Sequence, residues 1–376
     1  MNASATDTPF AADDMRFMRL ALELGRRGLG NTWPNPAVGA VIVKDGIIIG
    51  RGWTQPGGRP HAETEAIRQA GSQARGATLY VTLEPCSHHG KTPPCADAIV
   101  AADLARVVSA IEDPNPQVAG RGHDRLRAAG IAVTFGVRAA EARKAHAGHI
   151  RRIVDGRPHI TLKLAVSADT KAALAGHKPV QITGEQMRAR VHMMRAMNDA
   201  ILIGIGTALA DDPELTCRLP GMAQQSPLRV ILDRNLRLPL RSKLVTSARH
   251  IPVIVFAGED ASAENERKLA THGVQVKRVR SDTGGLVLWD ILQSLANMGI
   301  TRLMVEGGPT VAASFIRQDL VDEAMLLRGA ITIGANGVDA LVGLSLDALT
   351  ASPHLRLTES GMIGADTWSH FERPGD

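Results

Sequence analysis

From Phe17 onward the chain repeats one pattern: short apolar runs alternate with segments whose apolar residues recur at helical spacing. Few architectures accept it. Strand, helix and strand in succession bury their apolar surfaces best when helices cover the faces of a largely parallel sheet, so the chain reads as α/β layers. Phe17, Leu20, Ala21 and Leu24 mark a first helix. Val38 to Val43 and Ile47 to Gly50 flank Asp45-Gly46, a hairpin turn signal. His61 to Ala70 then reads as helix, Thr78 to Leu83 as strand, Pro94 to Ala102 as helix and Arg106 to Ile111 as strand. Gly122 to Ala129 and Ile131 to Phe135 close the series as helix and strand.

A length of 376 residues suggests two domains or three, at about 150 residues each. The charged, helix-prone stretch Arg138 to Arg152 runs into the turn Asp155-Gly156-Arg157-Pro158, where the boundary is placed. A second series follows, with strands expected at Ile160 to Val166, Ala200 to Gly204, Leu228 to Leu232, Val253 to Phe256, Val274 to Val279 and Arg302 to Val305. Helices are expected at Glu185 to Met197, Leu286 to Met298 and Pro309 to Arg317. The expected organisation is a disordered leader over 1–13, a first domain over 14–153 and a second over 158–372.

Three cysteines, Cys86, Cys95 and Cys217, make no disulfide framework and fit a reducing compartment. A net charge of +5 permits anionic ligands without indicating nucleic acid. No apolar run nears ~18 residues, so no membrane span is expected. Met1 to Asp14 lacks the basic and apolar regions of a secretory signal, which makes the cytoplasm the expected location.

The chemistry concentrates in His61-Ala62-Glu63, Pro85-Cys86 and Pro94-Cys95. By residue type alone, two cysteines and a histidine fit an ordinary core. At this spacing two thiolates and an imidazole are good zinc ligands, and three protein ligands leave a fourth position for water. Zinc lowers that water's pKa to about 7, and a carboxylate is then needed to move protons. Glu63 supplies one. Positions i and i+2 of a helix do not share a face, so His61 must stand at the helix entrance. Cys95 after Pro94 belongs in a helix's first turn, where the dipole favours thiolate. A closed structural site, with His88 or His89 as fourth ligand, is the rival; Glu63 favours the open, catalytic form. The pattern matches the zinc nucleobase deaminase signature H-x-E…P-C-x-x-C, except that eight residues, Ser87 to Pro94, separate the cysteines.

These motifs, with Thr82-Leu83-Glu84 before Pro85-Cys86, the run Ser87-His88-His89-Gly90-Lys91-Thr92-Pro93 and Asp113-Pro114-Asn115-Pro116, resemble the bifunctional riboflavin-biosynthesis deaminase/reductase family. The resemblance implies a cytidine-deaminase-like three-layer domain followed by a dihydrofolate-reductase-like domain. It implies hydrolytic deamination of a phosphoribosyl diaminopyrimidine, then reduction of its ribosyl group to ribityl. His61, Cys86 and Cys95 would hold one zinc ion and Glu63 would carry protons. Asn35, His88, Lys91, Asp113 and Asn115 would contact substrate. Trp33 stands where the family usually has His before Pro-Asn-Pro.

Gly204-Ile205-Gly206 after a strand is a weak dinucleotide fingerprint, since the third glycine is missing. Glu306-Gly307-Gly308-Pro309-Thr310 is a better phosphate cradle: it follows a strand and opens a helix. That turn and Thr207 to Arg218 resemble the family's reductase domain, which uses NADPH. The resemblance implies NADPH contacts from Ala165, Thr207, Asp211, Gly308, Pro309 and Thr310, and substrate contacts from Arg195, Leu215, Arg218 and Glu306. The two arginines suit a phosphate monoester. Two departures stand out: Thr170-Lys171 replaces the usual Gly-Arg of a Ser-x-Asp-Gly-Arg run, and Gln181 replaces a common Trp.

A deaminase with a degenerate reductase domain is one alternative. A nucleic-acid base deaminase is another, but aromatics are 3% of the chain and no Lys/Arg tract occurs, whereas single-strand binders stack bases on aromatics in basic grooves. Small-molecule substrate, no nucleic acid, no membrane and, from the resemblance, a homo-oligomer joined through the reductase domains are expected.

Overall fold

The computed structural model describes residues 10–88, 90, 92–116, 118–178 and 180–375. It divides into two units, Met1–Asp155 and Gly156–Asp376. The first opens with α1 (Ala12–Arg26), which starts one residue before the expected end of the leader. A hairpin of β1 (Gly39–Lys44) and β2 (Ile47–Trp53) leads to α2 (Ala62–Ala70) and β3 (Thr78–Val81). Then come α3 (Cys95–Ala101), β4 (Arg106–Ser109), α4 (Arg121–Ala128), β5 (Ala132–Phe135), α5 (Ala139–Ala145) and α6 (Ala147–Val154).

The five strands lie in the order β2-β1-β3-β4-β5, with β3, β4 and β5 parallel. Helix α1 packs beside α5, and α2 packs on β2 and β1 beside α3. Val41, Ile42, Leu79, Val81, Val107 and Val108 are wholly buried between these layers. The helix that sequence reads over 138–152 is broken at His146, whose Nε2 lies 3.0 Å from Thr82 Oγ1. Asp14 ties α1 to the sheet: it accepts two hydrogen bonds from Arg106, at 3.0 and 2.8 Å, and one from the Tyr80 hydroxyl at 2.9 Å.

The second unit runs β6 (His159–Val166), β7 (Lys171–Ala173), α7 (Glu185–Ala196), β8 (Ala200–Gly204), α8 (Ile205–Asp211), β9 (Leu228–Leu232), α9 (Lys243–Thr246), β10 (Val253–Gly258), α10 (Ala263–Thr271) and β11 (Gln275–Val279). A short hairpin of β12 (Ser281–Asp282) and β13 (Gly285–Leu286) precedes α11 (Leu288–Asn297), β14 (Arg302–Val305), α12 (Pro309–Arg317) and β15 (Glu323–Arg328). The chain closes with β16 (Val338–Asp339), β17 (Arg356–Ile363) and β18 (Asp366–Glu372). Nine strands form one sheet in the order β11-β10-β9-β8-β14-β6-β15-β18-β17. Strands β6, β14, β8 and β9 run parallel, so their C-terminal ends open on the same edge, where ligands of open α/β sheets bind. Both units are α/β, as the alternation predicts. Beyond the expected strands the sheet gains β15 and the antiparallel pair β17–β18.

Candidate active sites

In the first unit, His61 caps α2 in extended conformation (φ −72°, ψ 160°), which places its ring outside the helix while Glu63 sits in the first turn. Pro94 caps α3 and Cys95 is its first residue. Cys86 follows β3 through a short irregular segment. The three ligand atoms lie within 4.8 Å of one another. His61 Nδ1 is 3.2 Å from Cys95 Sγ and 3.8 Å from Cys86 Sγ, and the Cys95 amide donates to Cys86 Sγ at 3.2 Å.

These distances fit zinc. Tetrahedral zinc with Zn–S of ~2.3 Å and Zn–N of ~2.0 Å sets nitrogen and sulfur about 3.5 Å apart, and the two observed separations bracket that value. Electrostatics agree. Hydrogen bonds from Cys95 and His61 pull the Cys86 thiol down to about 4, and the resulting thiolate, with burial, drives Cys95 far up. Two sulfurs this close do not both ionise unless a cation lies between them. His61 Nδ1 faces the sulfurs, and its Nε2 is buried with no partner among the described residues.

Glu63 is 4% exposed and its carboxyl interacts with Cys95. Burial pushes it up to about 7. A buried carboxylic group beside a three-donor metal site is equipped to take and return protons.

The other expected residues lie on loops around this centre. Asn35 Nδ2 donates to Gly58 O at 2.8 Å, on the loop that leads into His61. Asp113 accepts the Asn115 amide at 2.9 Å and meets His149 Nε2 at 3.3 Å. Burial opposes charge on Asp113, but the His149 contact outweighs it and holds the carboxyl below its usual range. His88 is exposed. His89 and Lys91 lie outside the described residues.

Sequence reasoning missed Glu84. This buried carboxylate accepts four backbone amides: Asp113 at 3.2 Å, Gly120 at 3.0 Å, Gly122 at 2.8 Å and His123 at 3.3 Å. A side chain at position 122 would put a Cβ 2.1 Å from Pro85 O, so only glycine lets the loop close on Glu84. It missed Arg59 as well, which donates to Thr92 Oγ1 and so joins the loop before His61 to the segment between the cysteines.

In the second unit the C-terminal ends of β6, β14, β8 and β9 floor a cavity of about 660 Å³. Its lining includes Ala165, Thr207, Asp211, Gly308, Pro309, Thr310, Arg195, Arg218 and Glu306. Leu215 is not in the lining; its side chain is 3% exposed in the core, and its backbone is left-handed (φ +58°). Gly308 caps α12, and a Cβ there would meet Thr207 Oγ1 at 2.8 Å. That glycine cradle, faced by a hydroxyl at a helix start, fits the phosphates of a nucleotide cofactor.

Arg195 is already engaged. Its Nε and one terminal nitrogen donate to Glu306 at 2.7 and 2.9 Å, and the other terminal nitrogen donates to Thr216 O at 3.1 Å. Arg218 is half-exposed, with Glu214 at 3.4 Å as its one acidic partner among the described residues. Lys163, also missed, lies 4.0 Å from Glu306, and burial lowers its ammonium below the usual range. Its signal was a lone lysine inside an apolar strand run. Burial works against ionised Glu306, but Arg195 keeps it charged and below its usual range. Thr170 takes the left-handed conformation (φ +66°) where the family's glycine is usual, and Lys171 points to Asp339 at 2.6 Å. Gln181 lines the cavity.

Comparison with known proteins matches each unit to a family. Residues 11–111 match the cytidine and deoxycytidylate deaminase zinc-binding region, and residues 158–369 match the RibD C-terminal domain. The chain is 41% identical over 365 residues to the riboflavin biosynthesis protein RibD of Escherichia coli K12, covering 95% of this chain and 99% of that one. It is 39% identical over 360 residues to the Aquifex aeolicus protein of the same name, covering 96% and 98%. Acinetobacter baumannii RibD superposes with a TM-score of 0.85 at 36% identity, covering 96% and 99%. A diaminohydroxyphosphoribosylaminopyrimidine deaminase/5-amino-6-(5-phosphoribosylamino)uracil reductase from Thermotoga maritima superposes at 0.83 with 36% identity, covering 96% and 99%.

Proposed function

Because the chain belongs to the RibD family of riboflavin biosynthesis proteins, we propose that it catalyses two successive steps, a zinc-dependent hydrolytic deamination and an NADPH-dependent reduction. The substrate is 2,5-diamino-6-(5-phosphoribosylamino)pyrimidin-4-one. The observation that carries the reading is the cluster of His61, Cys86 and Cys95 with buried Glu63 against it.

Zinc, when bound by these three residues, supplies the Lewis acidity that makes water nucleophilic at neutral pH. Glu63 takes the proton of the attacking water on its carboxylate. It passes that proton to the ring nitrogen, then takes the remaining proton of the added hydroxyl and gives it to the departing amine, so that ammonia leaves and a carbonyl remains. Asn35, Asp113 and Asn115 orient the pyrimidine from the flanking loops, and His88 and Lys91 meet it from the segment between the cysteines. Burial of Glu63 keeps its protons out of exchange with bulk water.

In the second unit, a reduced nicotinamide, when bound, supplies hydride to C1 of the ribosyl group in its imine form. Lys163 delivers the proton that the imine nitrogen requires. Glu306, fixed by Arg195, stands beside that ammonium and holds its position. Thr207, Asp211 and the turn Gly308-Pro309-Thr310, with Ala165, grip the cofactor; Arg218 meets the substrate phosphate, and the backbone at Leu215 shapes the same wall. Copies associate through the second unit, a reading supported by β17, whose Leu357 and Met362 are 57% and 70% exposed. No helix among the described residues is long and apolar enough to cross a membrane, and the cytoplasm fits this metabolism.

The test is a coupled assay on the natural pyrimidine that follows ammonia and NADPH together. Both signals are expected, with NADPH oxidation dependent on prior ammonia release. Ammonia without NADPH oxidation would leave a deaminase alone.

A further inference from the structure

The cavity of the second unit has two ends. Lys163, Arg195, Arg218 and Glu306 stand at the end formed by β6 and α7. Past Gly206 and Thr207 the lining continues to Leu232, the last residue of β9, and to Arg237. From β6 across β14 and β8 to β9 is three strand spacings, about 14 Å. A span of that size suits an extended dinucleotide better than a single nucleotide.

Arg237 is the cation at the far end, and it is free. Its nearest acid is Asp233 Oδ1 at 4.0 Å, and its side chain is 57% exposed. Among the described residues no hydrogen-bond acceptor engages its guanidinium. The turn that carries it is fixed. Buried Asp233 accepts the Leu238 amide on Oδ2 at 2.8 Å, and its backbone carbonyl accepts the Leu236 amide at 3.1 Å. Asn265 Nδ2 donates to Leu236 O at 3.2 Å, pinning the same turn from α10. The backbone that carries Arg237 is thus ordered before any ligand arrives, and the guanidinium reaches the cavity lining with its donors unspent.

We propose that Arg237 reads the 2′-phosphate on the adenosine ribose of the cofactor, and so makes this unit select NADPH over NADH. The assignment rests on the reductase reading above. A phosphate monoester offers a guanidinium two acceptor oxygens and a charge, whereas the 2′-hydroxyl of NADH offers neither. Arginines near the ribose serve this purpose in dinucleotide folds. Arg237 discriminates between cofactors without touching the reacting atoms.

Calorimetric titration of the full chain tests the assignment, with 2′,5′-ADP, ADP, NADP⁺ and NAD⁺ as probes. Arg237→Gln is expected to weaken 2′,5′-ADP and NADP⁺ by about tenfold or more, the scale of one charge-assisted contact, and to leave ADP and NAD⁺ unchanged. Arg237→Lys should fall between, since it keeps the charge and loses the fork. The kcat/KM ratio for NADPH over NADH should drop in parallel. Equal loss for NADP⁺ and NAD⁺, or no loss for either, overturns the assignment while the reductase reading stands. A wild-type chain that binds neither dinucleotide overturns both.

Discussion

Glu84 Oε1 accepts the amide proton of Gly122 at 2.8 Å, and through that contact a residue two positions before Cys86 holds a loop 38 residues away. The same carboxylate holds the Asp113 and Gly120 amides on its other oxygen. No cationic side chain pairs with it among the described residues; the charge is balanced by backbone dipoles.

Glu84→Gln tests that anchor. The amide must turn its NH2 toward two backbone N–H groups, leaving donors facing donors at a cost of roughly 1–3 kcal/mol. Zinc content should stay at the wild-type value, because the three ligands are untouched. The deaminase KM should rise by about tenfold as the loop bearing Asp113 and Asn115 loosens. Steady-state kinetics beside metal analysis read both; an unchanged KM would remove Glu84 from substrate positioning.

The pair Arg195–Glu306 separates the two activities. Glu306→Gln leaves the Arg195 charge without its partner and removes the acid beside Lys163. Reductase kcat should fall by about 10²–10³-fold. Ammonia release, which belongs to the other unit, should be untouched. A matching fall in ammonia release would show that the variant damages the whole chain instead of one site.

On the second sheet, His370 Nε2 meets Glu323 Oε1 at 2.6 Å, with His159 and Arg302 near the acid and Glu359 and Glu372 near the imidazole. Burial opposes both charges. The His370 contact still brings Glu323 down to about 2, and Glu323 in turn raises His370. The depressed acid contributes stability above its unfolded pKa of about 4.3 and loses it as pH falls toward 2. The raised base contributes below about 6.5 and loses that contribution as pH climbs through its folded value. His370→Gln should therefore cost on the order of 1 kcal/mol near pH 6 and less near pH 9. Urea unfolding of both proteins at the two pH values measures the difference; a gap that does not change with pH contradicts the ion pair.

What the sequence made legible is what local rules decide. Pro94 marks one helix start and the His61-x-Glu63 spacing another, and Cys95 and His61 stand where those starts put them. Most of the expected strands are short runs dominated by apolar residues. What it hid is decided at long range. Glu84 finds its partners 29 to 39 residues away, and nothing near it announces them. Lys163 reads as an interruption in a strand until Glu306, far along the chain, is beside it. Arg195 reads as a free phosphate ligand until the same Glu306 takes its fork. Strand β17 carries little apolar periodicity because it is an edge, exposed on most of its length and held by β18 alone.

Metal content and ammonia release measured on the same preparations decide whether Glu63 works beside a zinc centre. Purified wild-type chain and its Glu63→Gln variant should each carry about one zinc per chain, since Glu63 is no ligand, while only the wild type releases ammonia from the pyrimidine. A wild-type chain without zinc, or a Glu63→Gln chain that deaminates at the wild-type rate, would contradict the site as drawn.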